Sequence, residues 1–364
     1  MKKKIVFFFG GQSPEHEVSV RSIKNVIEAL DKTKFDYRLV GISKQGSWFL
    51  FKDDASFKNL SAIKDADMKT QPHVTLVYES EKCHLLQWKT GEKETIDGAF
   101  PLIHGVHGED GCIQGIFKMM NIPYVGCNLL SSAVGMDKEM MKHILAQQEI
   151  SCSPYMLITR EWTPSFQQVS EKLGNPFFLK PANMGSSVGV HKVKSPEDYK
   201  TFLADAFLYD NKVLAEKFIQ GREIECAVLG NEKPKASLPG EIRPSHEFYS
   251  YEAKYLDENG ADLMIPAKLS PDMIDIIQNL AIQTYQAMNC EGLTRVDFFV
   301  TEKNEIFVNE INTIPGFTNI SMYPKMWEAS GIGYSQLITE LINLSFQRDE
   351  RDKALNKNFK ELGN

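Results

Sequence analysis

The chain has no CxxC pair, no apolar run that could span a bilayer and no surplus of positive charge, and each absence excludes a class of function. Its six cysteines, Cys83, Cys112, Cys127, Cys152, Cys226 and Cys290, stand far apart. Structural zinc sites and redox dithiols need close spacing, so neither is expected, and isolated thiols suit a reducing compartment. No stretch approaches the roughly 20 apolar residues of a transmembrane helix. Three lysines precede the apolar residues Ile5–Phe9, but that run is shorter than the roughly 7–15 residues of a signal-peptide core. A buried first strand and a cytoplasmic protein are the expectation. The formal net charge of −7 supplies no global field for nucleic acid. What remains is a globular chain of 364 residues, which at roughly 150 residues per domain makes two to three domains.

Residues 4–9 read as a buried parallel strand ending at Gly10-Gly11, with Ser13 suited to an N-cap and Pro14 to the first helical position. Further strands at Tyr37–Ile42 and Gly98–Ile103 imply a three-layer α/β domain to about residue 127, elaborated by a more polar segment, 46–96. A helix over Ser131–Gln148 leads to strands at Phe177–Lys180 and Val188–Val193 flanking a glycine-containing loop, then to strands at Val213–Phe218 and Glu223–Leu229. Pro239–Pro266 shows no period, and a segment of that length inside a compact domain reads as a lid. Ser270-Pro271 opens a helix with an apolar stripe at Met273, Ile276, Ile277, Leu280, Thr284 and Met288. The charged tail from Arg348 to Asn364 reads as a solvated helix or a frayed end.

The clearest chemistry lies in Leu293–Asn312. Both halves alternate in polarity, and a turn at Lys303-Asn304 would oppose Asp297 to Glu310 and Arg295 to Asn312. Opposed carboxylates repel and weaken a hairpin unless a cation lies between them. Two carboxylates and an amide suit Mg²⁺. The pair alone fits a tolerated polar face equally well; Arg295, Asn312 and the following Thr313-Ile314-Pro315-Gly316 turn shift the balance to a site. Arginine is a permanent cation for a phosphate or an oxyanion, and Gly316 would let a ligand approach backbone N–H groups.

Other candidates are weaker singly. Lys180 precedes a small-residue loop whose Gly185, Ser186 and Ser187 N–H groups could cradle phosphate, although it is no Walker loop. Lys138 follows Met136-Asp137; Glu216 and Glu223 bracket a strand exit and could accept from adenine or ribose, or simply be solvated. The glycines at 10 and 11 lack the third of a GxGxxG fingerprint, so nicotinamide binding is poorly supported. Glu15 could hold a substrate ammonium or only complement a helix dipole. His104, His107, Glu109 and Asp110 cluster in a turn after a strand, better placed to line a substrate than to bind zinc, with His104 nearest the strand end.

Together these segments resemble a known family. Gly10-Gly-Gln-Ser-Pro-Glu-His-Glu-Val-Ser19, His104 through Gly111, Met136-Asp-Lys138, Lys180-Pro through Gly189, Tyr249-Ser-Tyr-Glu-Ala-Lys-Tyr255, Arg295-Val-Asp297 and Asn309-Glu-Ile-Asn-Thr-Ile-Pro-Gly316 occur in the order found in D-alanine–D-alanine ligases of the ATP-grasp superfamily, and the resemblance runs from Lys4 to about Leu344. It implies an α/β fold with α+β elements, in three ATP-grasp domains. These are a Rossmann-like N-terminal domain with a parallel sheet over 1–127, a central subdomain over 128–216, and a C-terminal subdomain over 217–364 carrying the 239–266 lid.

The resemblance also implies ATP-dependent joining of two D-alanines through an acylphosphate, for peptidoglycan. Carried over, Asp297, Glu310 and Asn312 become ligands of two Mg²⁺, with Mn²⁺ as a substitute. Lys138, Lys180, Ser186, Ser187, Glu216, Lys217, Phe218, Ile219, Glu223 and Asn309 become nucleotide contacts. Glu15 becomes the anchor of the first ammonium, linked through Ser186 to Tyr255. Arg295 and the Gly316 N–H become oxyanion stabilisers. His104, Lys254, Ser321 and Met322 line the substrates, Lys254 and Ser321 at the second carboxylate. Tyr255 in its motif favours an amine nucleophile over D-lactate. Met322 is a departure, since several members carry leucine there, and it bears on discrimination against D-serine. A homodimer is also implied. The alternatives are an ATP-grasp ligase of other specificity, such as D-alanine–D-serine, and a non-catalytic nucleotide-binding relative, which would lack one or more of Lys180, Arg295, Asp297 and Glu310.

Overall fold

Ile5, Val6, Phe7, Phe8 and Phe9 are all buried, which a strand achieves only with layers on both faces. Their strand, Lys3–Gly10, lies inside a four-stranded sheet ordered Trp48–Phe51, Phe35–Ile42, Lys3–Gly10, Gly98–Pro101. It pairs in parallel with both neighbours, and Trp48–Phe51 closes one edge antiparallel. Phe7 and Phe9 face Val20 and Ile23 of helix His16–Ala29, while Val6 and Phe8 face Phe117 of helix Cys112–Met119. The computed structural model describes residues 2–51, 65–244, 261–318 and 320–355. Within the 46–96 segment, Val74–Glu79, Lys82–Gln87 and Lys93–Thr95 form a small antiparallel sheet whose Leu76 and Leu85 join the core of Val6 and Phe8.

A second, antiparallel sheet runs His191–Val193, Phe177–Pro181, Lys212–Lys217, Tyr155–Thr159. Helices Phe166–Leu173 and Pro196–Ala206 cover it, and both start with a capping box, at Ser165 and Ser195. The third sheet carries the hairpin. It runs Ala261–Met264, Gly240–Pro244, Arg222–Gly230, Gly292–Val300, Ile306–Asn312, with Lys235–Ala236 alongside Arg222–Gly230. Val296, Phe298, Val300 and Val308 turn to a core shared with helix Pro271–Ala287, leaving the opposite face for polar residues. Among the described residues no helix is long and apolar enough to cross a membrane.

Several local expectations change. Helix His16–Ala29 starts with Glu15, not Ser13, at its N-cap position. Ser13 instead closes the preceding turn, its Oγ accepting from the Glu15 N–H at 3.1 Å and its carbonyl from the His16 N–H at 3.1 Å. The single helix expected over Ser131–Gln148 is two, Leu129–Met136 and Lys138–Gln147. Asp137 breaks it by taking an extended conformation and accepting from the Glu139 and Met140 N–H groups, which caps the second helix. The strand expected over Val188–Val193 is only His191–Val193, because the preceding residues are held in turns by Val188 N–H to Gly185 O and Val190 N–H to Ser187 O. In helix Pro271–Ala287, Ser270 caps as expected, but Ile276 points to solvent. The start of the charged tail is no frayed end: Arg348 is buried within helix Tyr334–Lys353.

Candidate active site

The hairpin sets two carboxylates against one another. Asp297 and Glu310 are partners across the ladder, as are Arg295 and Asn312. The turn differs from the expected Lys303-Asn304 pair: it is a three-residue loop, 302–304, closed by Thr301 N–H to Glu305 O at 3.0 Å, with Asn304 left-handed at φ 61°. From that turn, strict alternation would put Val308 and Glu310 on one face. A bulge at Asn309 separates them, so Val308 enters the core while Asn309 and Glu310 both reach a cavity of about 420 Å³. Asp297 accepts two bonds from Arg295, each 2.7 Å, and one from Asn312 Nδ2 at 3.0 Å. Glu225, which faces Asp297 from the neighbouring strand, brings a second carboxylate to within 3.0 Å of Arg295 Nε.

These oxygens suit a hard cation. Among the described residues no three His, Cys, Asp or Glu side chains gather as a metal cluster; the set here is two carboxylates and an amide. A cationic side chain already lies near each carboxylate, Arg295 on Asp297 and Lys138 at 3.8 Å from Glu310. The donor set therefore draws positive charge and fits Mg²⁺, which would complete its shell with phosphate and water oxygens.

Two cations lie beside this wall, Lys138 buried and Lys180 half-buried. The break at Asp137 starts the second helix at Lys138, whose ammonium donates to Met184 O at 2.6 Å. Lys180, on strand Phe177–Pro181, donates to Asn309 Oδ1 at 3.0 Å and pairs with Glu216 at 2.9 Å. Glu216 does not offer its carboxylate to the cavity as expected. It is buried, accepts from Ser153 Oγ and is also paired with Lys142 at 3.2 Å. Lys142 went unnoticed in the sequence, although it follows Lys138 by four residues and so shares its helix face. Lys217 is exposed; Phe218 lies under the Lys192 ammonium at 4.2 Å, and Ile219 is half-buried. Lys217 ends strand Lys212–Lys217, Phe218 and Ile219 begin the connection to the third sheet, and none of the three lines the cavity.

The opposite wall comes from the first sheet. Glu15 accepts from Ser186 Oγ at 2.5 Å, joining the first helix to the loop after Lys180. That loop holds Ser186 and Ser187 left-handed, at φ 52° and 59°, a conformation costly for residues with a side chain. Gly105 makes room for Glu15: its φ is +71°, and a Cβ there would lie 2.6 Å from Glu15 Oε2. His104 is buried, donating from Nδ1 to Ile314 O at 3.0 Å with Glu109 Oε1 at 3.8 Å. Burial pushes the Glu109 carboxyl up to about 7 against the pull of His104, and the nearby Glu15 charge adds to the rise.

Of the residues singled out in the sequence, Glu15, His104, Ser186, Glu223, Arg295, Asp297, Asn309, Glu310, Asn312, Gly316, Ser321 and Met322 line the one cavity. Ser321 Oγ accepts from the Thr318 N–H at 3.0 Å, and Met322 begins the helix behind it. Lys138 lines a smaller adjoining space, and Lys180 reaches the wall through Asn309. Ser187 and Glu216 lie outside the lining. Lys254 and Tyr255, with the rest of the Tyr249–Tyr255 motif, fall outside the described residues. Glu225 and Glu109 also face the cavity. Glu225 was legible in principle, two residues after Glu223 and so on the same strand face.

Comparison with known proteins gives a consistent picture. Family models described as "D-ala D-ala ligase N-terminus" and "D-ala D-ala ligase C-terminus" match residues 4–127 and 144–343. A D-alanine–D-alanine ligase of Oceanobacillus iheyensis is 49% identical over 360 residues, 98% of each chain. D-alanine–D-alanine ligase A of Escherichia coli K12 is 47% identical, covering 97% of this chain and 98% of its own. Among solved structures, the D-alanine–D-alanine ligase of Coxiella burnetii superposes with a TM-score of 0.86 at 36% identity, covering 97% of this chain and 96% of its own. The VanG D-Ala:D-Ser ligase of Enterococcus faecalis superposes with 0.84 at 33%, covering 95% and 100%.

Proposed function

The chain belongs to the D-alanine–D-alanine ligase family, and from that premise we infer how its cavity performs the family's reaction. The protein is an ATP-dependent ligase that forms the C–N bond of D-alanyl-D-alanine for peptidoglycan synthesis. A D-serine-accepting ligase is not favoured, because the curated relatives at 47–49% identity are D-alanine–D-alanine ligases.

One observation carries the assignment of roles: the Glu15 carboxylate, held by Ser186, and the Arg295–Asp297–Glu310 group lie on the same cavity. The first D-alanine places its ammonium on Glu15, which Ser186 orients, and its carboxylate towards Arg295. A carboxylate oxygen attacks the γ-phosphorus of ATP, ADP leaves and an acylphosphate forms. Lys138 and Lys180 face the charge of the transferring phosphates, with Ser186, Ser187, Glu223, Asn309 and the 217–219 stretch around the nucleotide, while Glu216 acts behind Lys180. The amine of the second D-alanine, held at His104, Lys254, Ser321 and Met322, then attacks the acyl carbon and phosphate departs. Arg295 and the Gly316 N–H meet the oxyanion of that step, where fixed donors lower the barrier most. Two Mg²⁺, or Mn²⁺ in their place, bound by Asp297, Glu310 and Asn312, would neutralise phosphate charge. Strands Gly240–Pro244 and Ala261–Met264 hold both ends of the expected 239–266 lid in the third sheet, so the closing part is taken as the stretch between them, which carries Tyr255 and would keep water from the acylphosphate.

The same reading divides the chain near residues 127 and 216 and takes the protein as a cytoplasmic homodimer. It is tested with purified protein, ATP, Mg²⁺ and single D-amino acids, following phosphate release and dipeptide mass. D-alanine is expected to stimulate release and yield the dipeptide; no D-alanine-dependent release would overturn it.

A further inference from the structure

Lys142 is among the largest fully buried side chains of the protein, its side chain only 1% exposed. A lysine is buried this deeply only when paired. Its partners are the Glu216 carboxylate at 3.2 Å, Ser153 O and Oγ at 3.3 and 3.4 Å, and the Tyr155 ring at 5.6 Å. The other Glu216 oxygen takes Lys180 at 2.9 Å and Ser153 Oγ at 3.3 Å. Burial alone would raise the Glu216 carboxyl, but Lys142 and then Lys180 overcome it and hold the group down at about 2. Two lysines thus share one carboxylate, and the trio carries one net positive charge.

We propose that Lys142 is a positioning residue for the nucleotide: by sharing the Glu216 carboxylate, it keeps the trio cationic, so that Lys180 meets the phosphates as a charge and not as half of a neutral pair. The proposal rests on the ATP-dependent reading above. Lys142 is shut away from the cavity, so it acts through Glu216 and Lys180, while Asn309 fixes the far side of the Lys180 ammonium. Without Lys142, the buried Glu216 carboxylate would have Lys180 as its sole neutralising partner in the trio. In a low-dielectric setting that attraction competes directly with phosphate.

The test compares K142M and K142M/E216Q with the wild type, measuring ATP affinity by titration and KM for ATP and D-alanine separately. Methionine keeps the length of the buried stem, and E216Q in the double variant restores one net charge on Lys180. K142M is expected to weaken ATP binding about tenfold or more, a scale set by loss of one buried charge partner, with KM for D-alanine changed less than about twofold. The double variant is expected to return to within about threefold of wild type. Wild-type-like ATP binding by K142M overturns the proposal. So does a double variant more than about tenfold weaker than wild type, which indicates a purely packing role. If K142M does not fold, the double variant, with no unpaired buried carboxylate, decides alone against the same limits. Failure of the wild type itself to bind ATP would instead sink the ATP-dependent reading.

Discussion

Replacing Glu310 with glutamine keeps the side-chain volume and removes one of two opposed charges. Asp297 lies directly across the ladder and Lys138 lies 3.8 Å away, so E310Q removes a repulsion and a long ion pair together and should leave stability nearly unchanged, within about 1 kcal/mol. Its metal-binding role predicts a large loss of catalysis, a fall of about 10³-fold or more in D-alanine-dependent phosphate release. Thermal melting beside a coupled phosphate assay checks both, and near-wild-type turnover would remove Glu310 from the metal site. This pair was legible in the chain because like charges at facing positions are an anomaly that needs an explanation. Lys142 was not, since a lysine on a helix reads as solvated until the neighbours that bury it are known, and Glu225 was legible only through its shared strand face with Glu223. Glu216 shows the same limit from the other side. It reads as an acceptor for a ligand, but Lys142, Lys180 and Ser153 use its carboxylate inside the protein.

At the scale of elements, the hairpin register was right for an incomplete reason. The turn is one residue longer than expected and the bulge at Asn309 adds one residue to the same strand, so the two shifts cancel beyond Asn309. No glycine or proline marks that bulge; it is imposed by Val308 going to the core and Glu310 to the cavity. The break at Asp137 is similar. An apolar-rich stretch from Ser131 to Gln148 reads as one helix, and only the cap geometry shows that a second helix begins at Lys138. Asp137 also pairs with Lys212 at 2.5 Å, tying that helix start to the strand beside Lys180. D137A is therefore expected to cost about 1–2 kcal/mol, the range for losing an N-cap, and to raise KM for ATP because Lys138 loses its fixed origin. Chemical denaturation and ATP kinetics measure the two effects. A D137N variant, which retains a capping side chain but not the charge, should recover most of the stability.

Across the whole molecule, the expected first unit does not keep a core to itself. Phe7, Ile23 and Phe100 share one cluster with Leu229, Phe317, Tyr323 and Leu337, so the two ends of the chain enclose common apolar ground beneath the cavity. Alternation and caps outline each sheet, but they carry no signal for packing between residues more than two hundred positions apart. Arg348 is the polar part of that long-range contact. From the C-terminal helix it donates to Gly126 O at 2.6 Å and Tyr124 O at 2.5 Å, and its guanidinium stacks on the Tyr124 ring at 4.3 Å. It thus fastens the last helix to the segment that leaves the first sheet. R348M would fill the space but leave two buried carbonyls without donors, at about 1–3 kcal/mol each. Arg351, one turn on and 40% exposed, pairs with the half-buried Glu291 at 2.7 Å; with its cation open to solvent, such a pair contributes about 1 kcal/mol. R348M should therefore lower the melting temperature by several degrees, whereas R351M should shift it little. Equal shifts for the two would show that the helix is held by its apolar face alone and that Arg348 is no fastening.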